Sequence, residues 1–380
     1  MNRRVAIVTR ALAPYHKALQ ESFAEAAGAD RGTVRLFYPE ETASVFDLAS
    51  TLPSAENLTH EHVPSMRIPP AIMMLGQPWK TERMESRLPS MALWHALSRF
   101  DPGVVWMHEY SPYSLAGMAW AKWHRRPIVV STDVGFSNRN AFVPHAQYWH
   151  GFWIRWVDGV IANTRGAMQP ITSVPKRVIA AFHAADSRKL KPSLQKTRKE
   201  EITFVQVGRV VPRKGADLLL AALAKLKDDG FTNWRLRLLG EDSDGWGKMQ
   251  ILKHGLEGRV EITGHLSGAA LWEAFSQADV FVLATRQDSY AAVVHEAACL
   301  GLPMVVSRHA GAADALLEDG VNGFIIEPED TASFAKCLAA FVDPVLLERM
   351  GVAARQTGEQ FSAHARAEAI WSWMQEHFIR

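Results

Sequence analysis

Short apolar runs rich in β-branched residues alternate along this chain with longer stretches in which leucines and alanines recur at helical spacing. The runs in the first half are Val5–Thr9, Val34–Tyr38, Val104–His108, Ile128–Thr132, Val160–Asn163 and Val178–Phe182. Those in the second are Ile202–Val207, Leu236–Gly240, Val260–Thr263, Val280–Ala284, Met304–Ser307 and Gly323–Ile326. They are almost continuously apolar, as strands covered on both faces should be, and the alternation with helices predicts parallel α/β sheets. Ala216–Lys227 (ADLLLAALAKLK) is one of the intervening helices, and Ala363–Phe378 reads as a Trp- and Ala-rich amphipathic helix.

Between the two sets of strands lies Ser187–Glu201, SRKLKPSLQKTRKEE, a polar segment with a proline and the composition of a linker. The expected division is therefore a doubly wound domain over residues 1–186, a linker over 187–201 and a second doubly wound domain over 202–362. A chain of 380 residues is long enough for two such cores.

Composition narrows the class. The chain is 48% hydrophobic and 22% charged, with a net charge of +2, which fits a soluble globular protein and argues against a general nucleic-acid binder. Cys299 and Cys337 both lie in apolar helical contexts, predicting a reduced, cytoplasmic protein without a disulfide framework. MNRRVAIVTRALAP runs directly into a strand with no apolar leader, and no run approaches the length of a membrane span. Charge is uneven, with a net +5 over residues 1–178 and −3 over the rest. Many tryptophans of the first part stand beside basic residues, as in Trp79-Lys80, Trp120–Arg126 and Trp149–Trp156. That pairing suits a peripheral contact with a membrane surface, although core tryptophans beside solvated arginines account for it more simply.

The most informative stretch is Val280–Ser307, VFVLATRQDSYAAVVHEAACLGLPMVVS. It reads as a strand, a polar loop holding Asp288, a helix carrying Glu296, a Gly-Leu-Pro break and a second strand. Carboxylates between apolar runs add nothing to packing, but they accept hydrogen bonds from vicinal hydroxyls well. Upstream, Phe204–Gly215 (FVQVGRVVPRKG) is a strand, a basic loop and a helix start, with Gly208 and Gly215 bracketing Arg209 and Lys214. Cations beside a helix N-terminus make an anion site.

The acidic pair eight residues apart resembles the E-x7-E motif of retaining glycosyltransferases of the GT-B fold, specifically family 4, with Asp in the first position. Gly208-Arg209 to Lys214-Gly215 is similar to that family's GR-x-x-x-x-KG segment. The resemblance covers residues 200–330 well and the first domain at the level of strand order. It implies two Rossmann-like domains facing a cleft, with the last helix, 363–380, crossing back to the first domain. It also implies a nucleotide-diphosphate sugar as donor and co-substrate, no metal or other cofactor, and a glycan or lipid-linked acceptor bound by the first domain. Arg209 and Lys214 would hold the diphosphate and Glu296 the ribose hydroxyls. Asp288 would face the transferred sugar, with Ser289, Tyr290 and Ala291 beside it. Gly311 matches one glycine of a loop over Arg308–Gly323, where Ala310 replaces another and would restrict φ.

In the first domain Asp133 takes the place of a family histidine near the sugar. His108 and Glu109 end a strand at a cleft-facing position, and Arg10, Tyr15 and His16 follow the first strand. These five are contact candidates for acceptor or sugar, and Arg10, Tyr15 and His16 serve equally as caps of the next helix. Asp242-Ser243-Asp244 is read as a turn rather than a metal motif, no G-x-G-x-x-G follows the first strand, and Cys and His are not spaced as zinc ligands. An epimerase or phosphorylase on the same fold, or a non-catalytic sugar-nucleotide-binding module, would share most of these features.

Overall fold

A computed structural model describes residues 2–9, 14–39, 52–68, 86–108, 111–133, 144–169, 177–185, 187, 190, 201–288 and 290–379. Arg10, Glu109 and Ser289 lie outside the described residues, as do most of Ser187–Glu201 and the side chain of Tyr15. The chain divides into two compact units, Met1–His183 with Ala363–Arg380, and Ala184–Ser362.

The first unit is built on a parallel sheet of seven strands, β1 (Arg4–Val8), β2 (Thr33–Pro39), β3 (Leu58–Val63), β6 (Val104–His108), β7 (Ile128–Thr132), β8 (Gly159–Ala162) and β9 (Arg177–Ala180). An antiparallel hairpin, β4 (Ser65–Ile68) and β5 (Ser86–Pro89), stands apart from it. The sheet order is β3-β2-β1-β6-β7-β8-β9, so the winding reverses between β1 and β6. Helices α1 (Pro14–Ala29), α2 (Met91–Phe100), α3 (Pro112–Trp123) and α4 (Pro144–Trp153) provide the crossovers. β1, β6, β7 and β8 are buried along nearly their whole length, which is why their sequences read as apolar runs. β3 and the hairpin have no such signal. β3 is an edge strand of sequence LTHEHV, and its four central residues reach the surface.

In the second unit β10 (Ile202–Val207), β11 (Trp234–Leu239), β12 (Val260–Ile262), β13 (Val280–Leu283), β14 (Met304–Ser307) and β15 (Gly323–Ile326) form a parallel sheet of order β12-β11-β10-β13-β14-β15. The winding reverses between β10 and β13. Helices α5 (Ala216–Asp228), α6 (Trp246–Lys253), α7 (Gly268–Ser276), α8 (Val293–Cys299), α9 (Ala313–Leu316), α10 (Thr331–Ala339) and α11 (Pro344–Gln360) surround it. Ala185 N–H donates to His295 Nδ1 at 2.8 Å and Arg355 Nη1 donates to Leu190 O at 3.1 Å, so the chain between the sheets is tied to this unit from Ala184 onward.

The last helix, α12 (Ala363–His377), belongs to the first unit although it follows the second in sequence. Ala367, Ile370, Trp371 and Met374 join the core made by Val5, Ile7, Phe23 and Val34. The Trp371 ring lies edge-on to Phe23 at 5.8 Å, and its indole N–H donates to Asp30 Oδ2 at 2.8 Å. Gly32 and Gly159 leave room for this helix, since a Cβ on either would come within 2.8 Å of Trp371 or Phe378 respectively. The tryptophans of the first unit divide, Trp106 and Trp120 being fully buried and Trp123 and Trp156 exposed.

Trp371→Ala should therefore lower stability by about 3–5 kcal/mol in denaturant unfolding, the cost of emptying a large buried aromatic site. Trp371→Phe keeps most of the volume and drops the bond to Asp30, with an expected loss of about 1 kcal/mol. Equal losses in the two variants would show that the ring is not packed as described.

Candidate functional site

Both sheets place their reversal point between the first strand and the fourth in winding order, where the following loops diverge and leave room for a ligand. In the second unit these loops follow β10 and β13, and they hold the two motifs singled out in the sequence. Gly215 lies between them at φ +71°, where a Cβ would fall 1.8 Å from the carbonyl oxygen of Ala284. The backbones touch there, so only glycine fits. Gly240 meets the same restriction against Gly208 O on the neighbouring strand end.

Side chains fasten the two loops together. Arg213 O accepts from Thr285 Oγ1 and from Arg286 N, both at 2.9 Å, and Arg213 Nη1 donates to Gln287 O at 3.0 Å. Arg286 forms a two-pronged ion pair with Asp217 at the start of α5, both bonds 2.8 Å. Lys214 Nζ then reaches Asp288 Oδ2 at 2.5 Å, and both side chains are largely buried. The cation and carboxylate that the resemblance assigns to diphosphate and sugar are thus each other's partners. Arg209 is exposed at the end of β10, next to Gly208, whose φ is +121°. The side-chain amide of Gln206, buried in β10, donates through Nε2 to Lys214 O at 3.4 Å, while its Oε1 makes no hydrogen bond among the described residues.

The loop around Asp288 is pinned from the other side. Asp288 N donates to His309 O and Gly311 N donates to Asp288 O, both at 3.1 Å, and Ala312 N donates to Tyr290 O at 2.7 Å. Gly311 is therefore a backbone tie. Ala310 sits in an ordinary backbone conformation, so the φ restriction of alanine imposes no strain there. The strained residue is Ala291, at φ +70°, a conformation that alanine rarely adopts. Tyr290 and Ala291 are both buried.

Glu296 lies one turn into α8 between buried Val294, His295, Ala297 and Ala298. A partly buried carboxylate in such surroundings calls for a partner, yet the Glu296 side chain has no hydrogen bond or ion pair among the described residues. Desolvation pushes its pKa up to about 7. A carboxylate kept costly in this way at a reversal point fits a group that waits for ligand hydroxyls.

In the first unit the corresponding strand ends gather a cluster that the sequence showed only in part. His108 closes β6 and is buried, lying edge-on to His16 at 4.6 Å and against Trp106 at 5.2 Å. Burial, with the nearby His183, lowers its pKa to about 3, so it is neutral in the folded chain. The strand-end position expected for it is the one it holds. His16 is in the first turn of α1 and lies 5.5 Å from His183. Asp133 at the end of β7 bonds to His183 Nε2 at 2.9 Å. Burial opposes the ionisation of Asp133, but the charge and hydrogen bonds of His183, with Asn163, outweigh it and hold its pKa below the usual value. His183 was not singled out in the sequence, although it follows the predicted strand Val178–Phe182 as His108 ends its own.

Asp242 accepts from Gly247 N at 2.8 Å and Lys248 N at 3.1 Å, starting α6, so the Asp-Ser-Asp segment is a turn and helix cap. Among the described residues no three His, Cys, Asp or Glu side chains are grouped so as to hold a metal ion.

The raised pKa of Glu296 has a consequence for stability. Below about pH 4.5 the group is protonated in folded and unfolded chains alike and carries no penalty. Between 4.5 and about 7 the unfolded chain releases its proton first, so stability falls as pH rises, and above about 7 the full penalty is present. Glu296→Gln should be more stable than the parent by about 1–3 kcal/mol near pH 8 and no different near pH 4.5, read by urea unfolding at both pH values. A difference independent of pH would show that the carboxylate is not desolvated.

Residues 187–357 match the family described as glycosyl transferases group 1. Among curated proteins, the sulfoquinovosyl transferase SQD2 of Arabidopsis thaliana is 29% identical over 315 residues, covering 73% of this chain and 59% of that protein. A D-inositol 3-phosphate glycosyltransferase of Streptomyces scabiei is 29% identical over 211 residues, covering 52% and 47%. The chain thus spans about half the length of the curated relatives it matches. Among solved structures, a glycosyltransferase from Rickettsia africae superposes with a TM-score of 0.74 at 13% identity, over 98% of this chain and 97% of that one. Anabaena HepE in complex with UDP and glucose superposes with a TM-score of 0.69 at 18% identity, over 98% and 99%. With two parallel Rossmann-like sheets and these neighbours, the fold of the chain is that of the GT-B glycosyltransferases.

Proposed function

We propose that the chain is a glycosyltransferase that moves a hexose-type sugar from a nucleotide-diphosphate donor to a glycan or lipid-linked acceptor. The observation that carries this reading is the placement of Lys214, Asp288 and Glu296 around one reversal point, with Glu296 lacking any partner among the described residues. The family match over residues 187–357 and a neighbour that holds UDP and glucose support it.

The donor binds the second unit. Its ribose hydroxyls meet Glu296, its diphosphate meets Lys214, Arg209 and the amides that open α5, and its sugar meets Asp288. Transfer leaves negative charge on the departing diphosphate, and a cation already positioned beside it stabilises that charge without reorganisation. Lys214 must leave Asp288 to do so, which frees the carboxylate for sugar hydroxyls. Retention of anomeric configuration follows if the acceptor attacks from the face that the diphosphate leaves, with a phosphate oxygen taking the acceptor's proton. No metal enters this scheme.

The acceptor belongs to the first unit, where the strand ends carry His16, His108, Asp133 and His183. A curated relative in Rhizobium meliloti, 28% identical over 229 residues, is named for lipopolysaccharide core biosynthesis, which favours a cell-surface glycan as the acceptor class. No helix among the described residues is long and apolar enough to cross a membrane.

A thermal-shift panel of UDP-, GDP- and ADP-sugars in EDTA tests the donor. One nucleotide series should stabilise the chain, and the shift should disappear in Lys214→Ala when measured against that variant's own melting temperature, which is itself lowered because Asp288 loses its partner. No stabilisation by any series, or a shift unchanged in Lys214→Ala, would remove the diphosphate assignment. Asp288→Glu should change the preference among donor sugars sharing one nucleotide and leave binding of the free nucleoside diphosphate within a factor of about two. Unchanged kinetics with every donor would place the sugar elsewhere.

A further inference from the structure

The edge of the first sheet opposite its histidine cluster holds a cavity of about 390 Å³. It is framed at the amino ends of the strands, by Asn2 before β1, Gly103 before β6, Arg126 before β7, Asp158 before β8 and Arg177 opening β9, with Phe378 as one wall. Arg125, Pro127 and His377 complete the lining. Ligands of doubly wound sheets gather at the carboxyl ends of the strands, so this cavity has no part in the site described above.

Its charge is unbalanced. Three guanidinium groups face one carboxylate, and that carboxylate is already engaged. Asp158 accepts from Ile128 N at 2.9 Å and lies 3.9 Å from Lys122 Nζ. Arg126 pairs with Asp101 at 2.7 Å through Nη2, but its Nε is shut off from solvent without an acceptor among the described residues. Arg177 lies over the Phe378 ring at 5.6 Å and, like Arg125, has no ion pair among the described residues. A cation at a helix C-terminus is ordinary, and Lys122 and Arg125 end α3, so those two alone would mean little. Arg177 comes from a separate strand, and the buried Nε of Arg126 is a donor that lacks its acceptor.

We propose that this cavity is a binding site for a phosphate group, held by Arg125, Arg126 and Arg177. A tetrahedral anion offers several acceptor oxygens to guanidinium donors on different sides, which suits three arginines around one cavity. The phosphate is either that of a soluble ion or ester or that of a lipid headgroup, and exposed Trp123 beside Arg125 is placed for the second case.

The local backbone supplies a clean variant. α3 closes with Arg126 N donating to Ala121 O and Arg125 N to Lys122 O, and Arg125 has φ +55° where glycine is favoured. Arg125→Gly therefore removes the cation while relieving backbone strain, so folding should be kept or improved. Arg31→Gly is the matched control. Arg31 is an exposed arginine with φ +61° after α1, outside the cavity.

Binding is measured for the whole chain, by calorimetry with inorganic phosphate and pyrophosphate. Sedimentation with phosphatidylcholine vesicles, with and without phosphatidylglycerol, is the second arm. Capture only by phosphatidylglycerol vesicles assigns the site to lipid, and binding of the soluble ions alone assigns it to a free phosphate. In either arm Arg125→Gly and Arg177→Ser should each weaken binding roughly five-fold, with Arg31→Gly close to the parent. Absence of binding in both arms overturns the proposal. An effect of Arg31→Gly equal to that of Arg125→Gly does so too, since attraction would then follow overall charge. If Arg177→Ser fails to fold, Arg125→Gly and its control decide alone.

Discussion

The second unit depends on a backbone contact too close for any side chain, that of Gly215 against the carbonyl of Ala284. It brings the loop after β10 against the loop after β13. From that follow the bonds to Arg213 O, the Arg286–Asp217 clamp and the reach of Lys214 to Asp288. A one-carbon addition at residue 215 would push the loops apart and separate the cation from the carboxylate. The arrangement of these side chains therefore rests on a steric condition, and the charges only complete it.

Around that contact the site is held in a costly state. The Glu296 carboxylate is desolvated without a partner among the described residues, Ala291 sits in a left-handed conformation, and the buried Oε1 of Gln206 has no donor among them. Each opposes folding by an amount of order 1 kcal/mol or more, and the apolar sheet beneath is what makes this tolerable. The Lys214–Asp288 pair is the compensated part. It neutralises two largely buried charges.

The first unit solves a similar problem with neutral groups. Burial lowers the pKa of His108 far enough that it stays uncharged, and Asp133 keeps its charge through His183. One carboxylate among imidazoles offers both donors and acceptors, which is the character needed for hydroxyl groups. At the opposite edge of the same sheet the balance inverts, and arginines outnumber carboxylates around a cavity.

The sequence by itself determined the two parallel sheets, because strands buried on both faces must be apolar along their length and leave an unmistakable pattern. It also singled out the two segments that meet in the second unit, since Gly208 to Gly215 and Asp288 to Glu296 are local motifs whose spacing survives without the fold. Edge strand β3 was not legible, because its partly exposed residues carry no such pattern. Tertiary structure alone decided that Lys214 and Asp288, 74 residues apart, share a bond, and that His183 joins Asp133 across 50. It also decided that Trp371 completes a core begun at Val5, that His108 is buried, and that Ala310 carries no strain while Ala291 does. These depend on which strand ends meet when a sheet is wound. Sequence spacing holds no record of that, because loop closure brings distant residues together at a cost that rises only slowly with length.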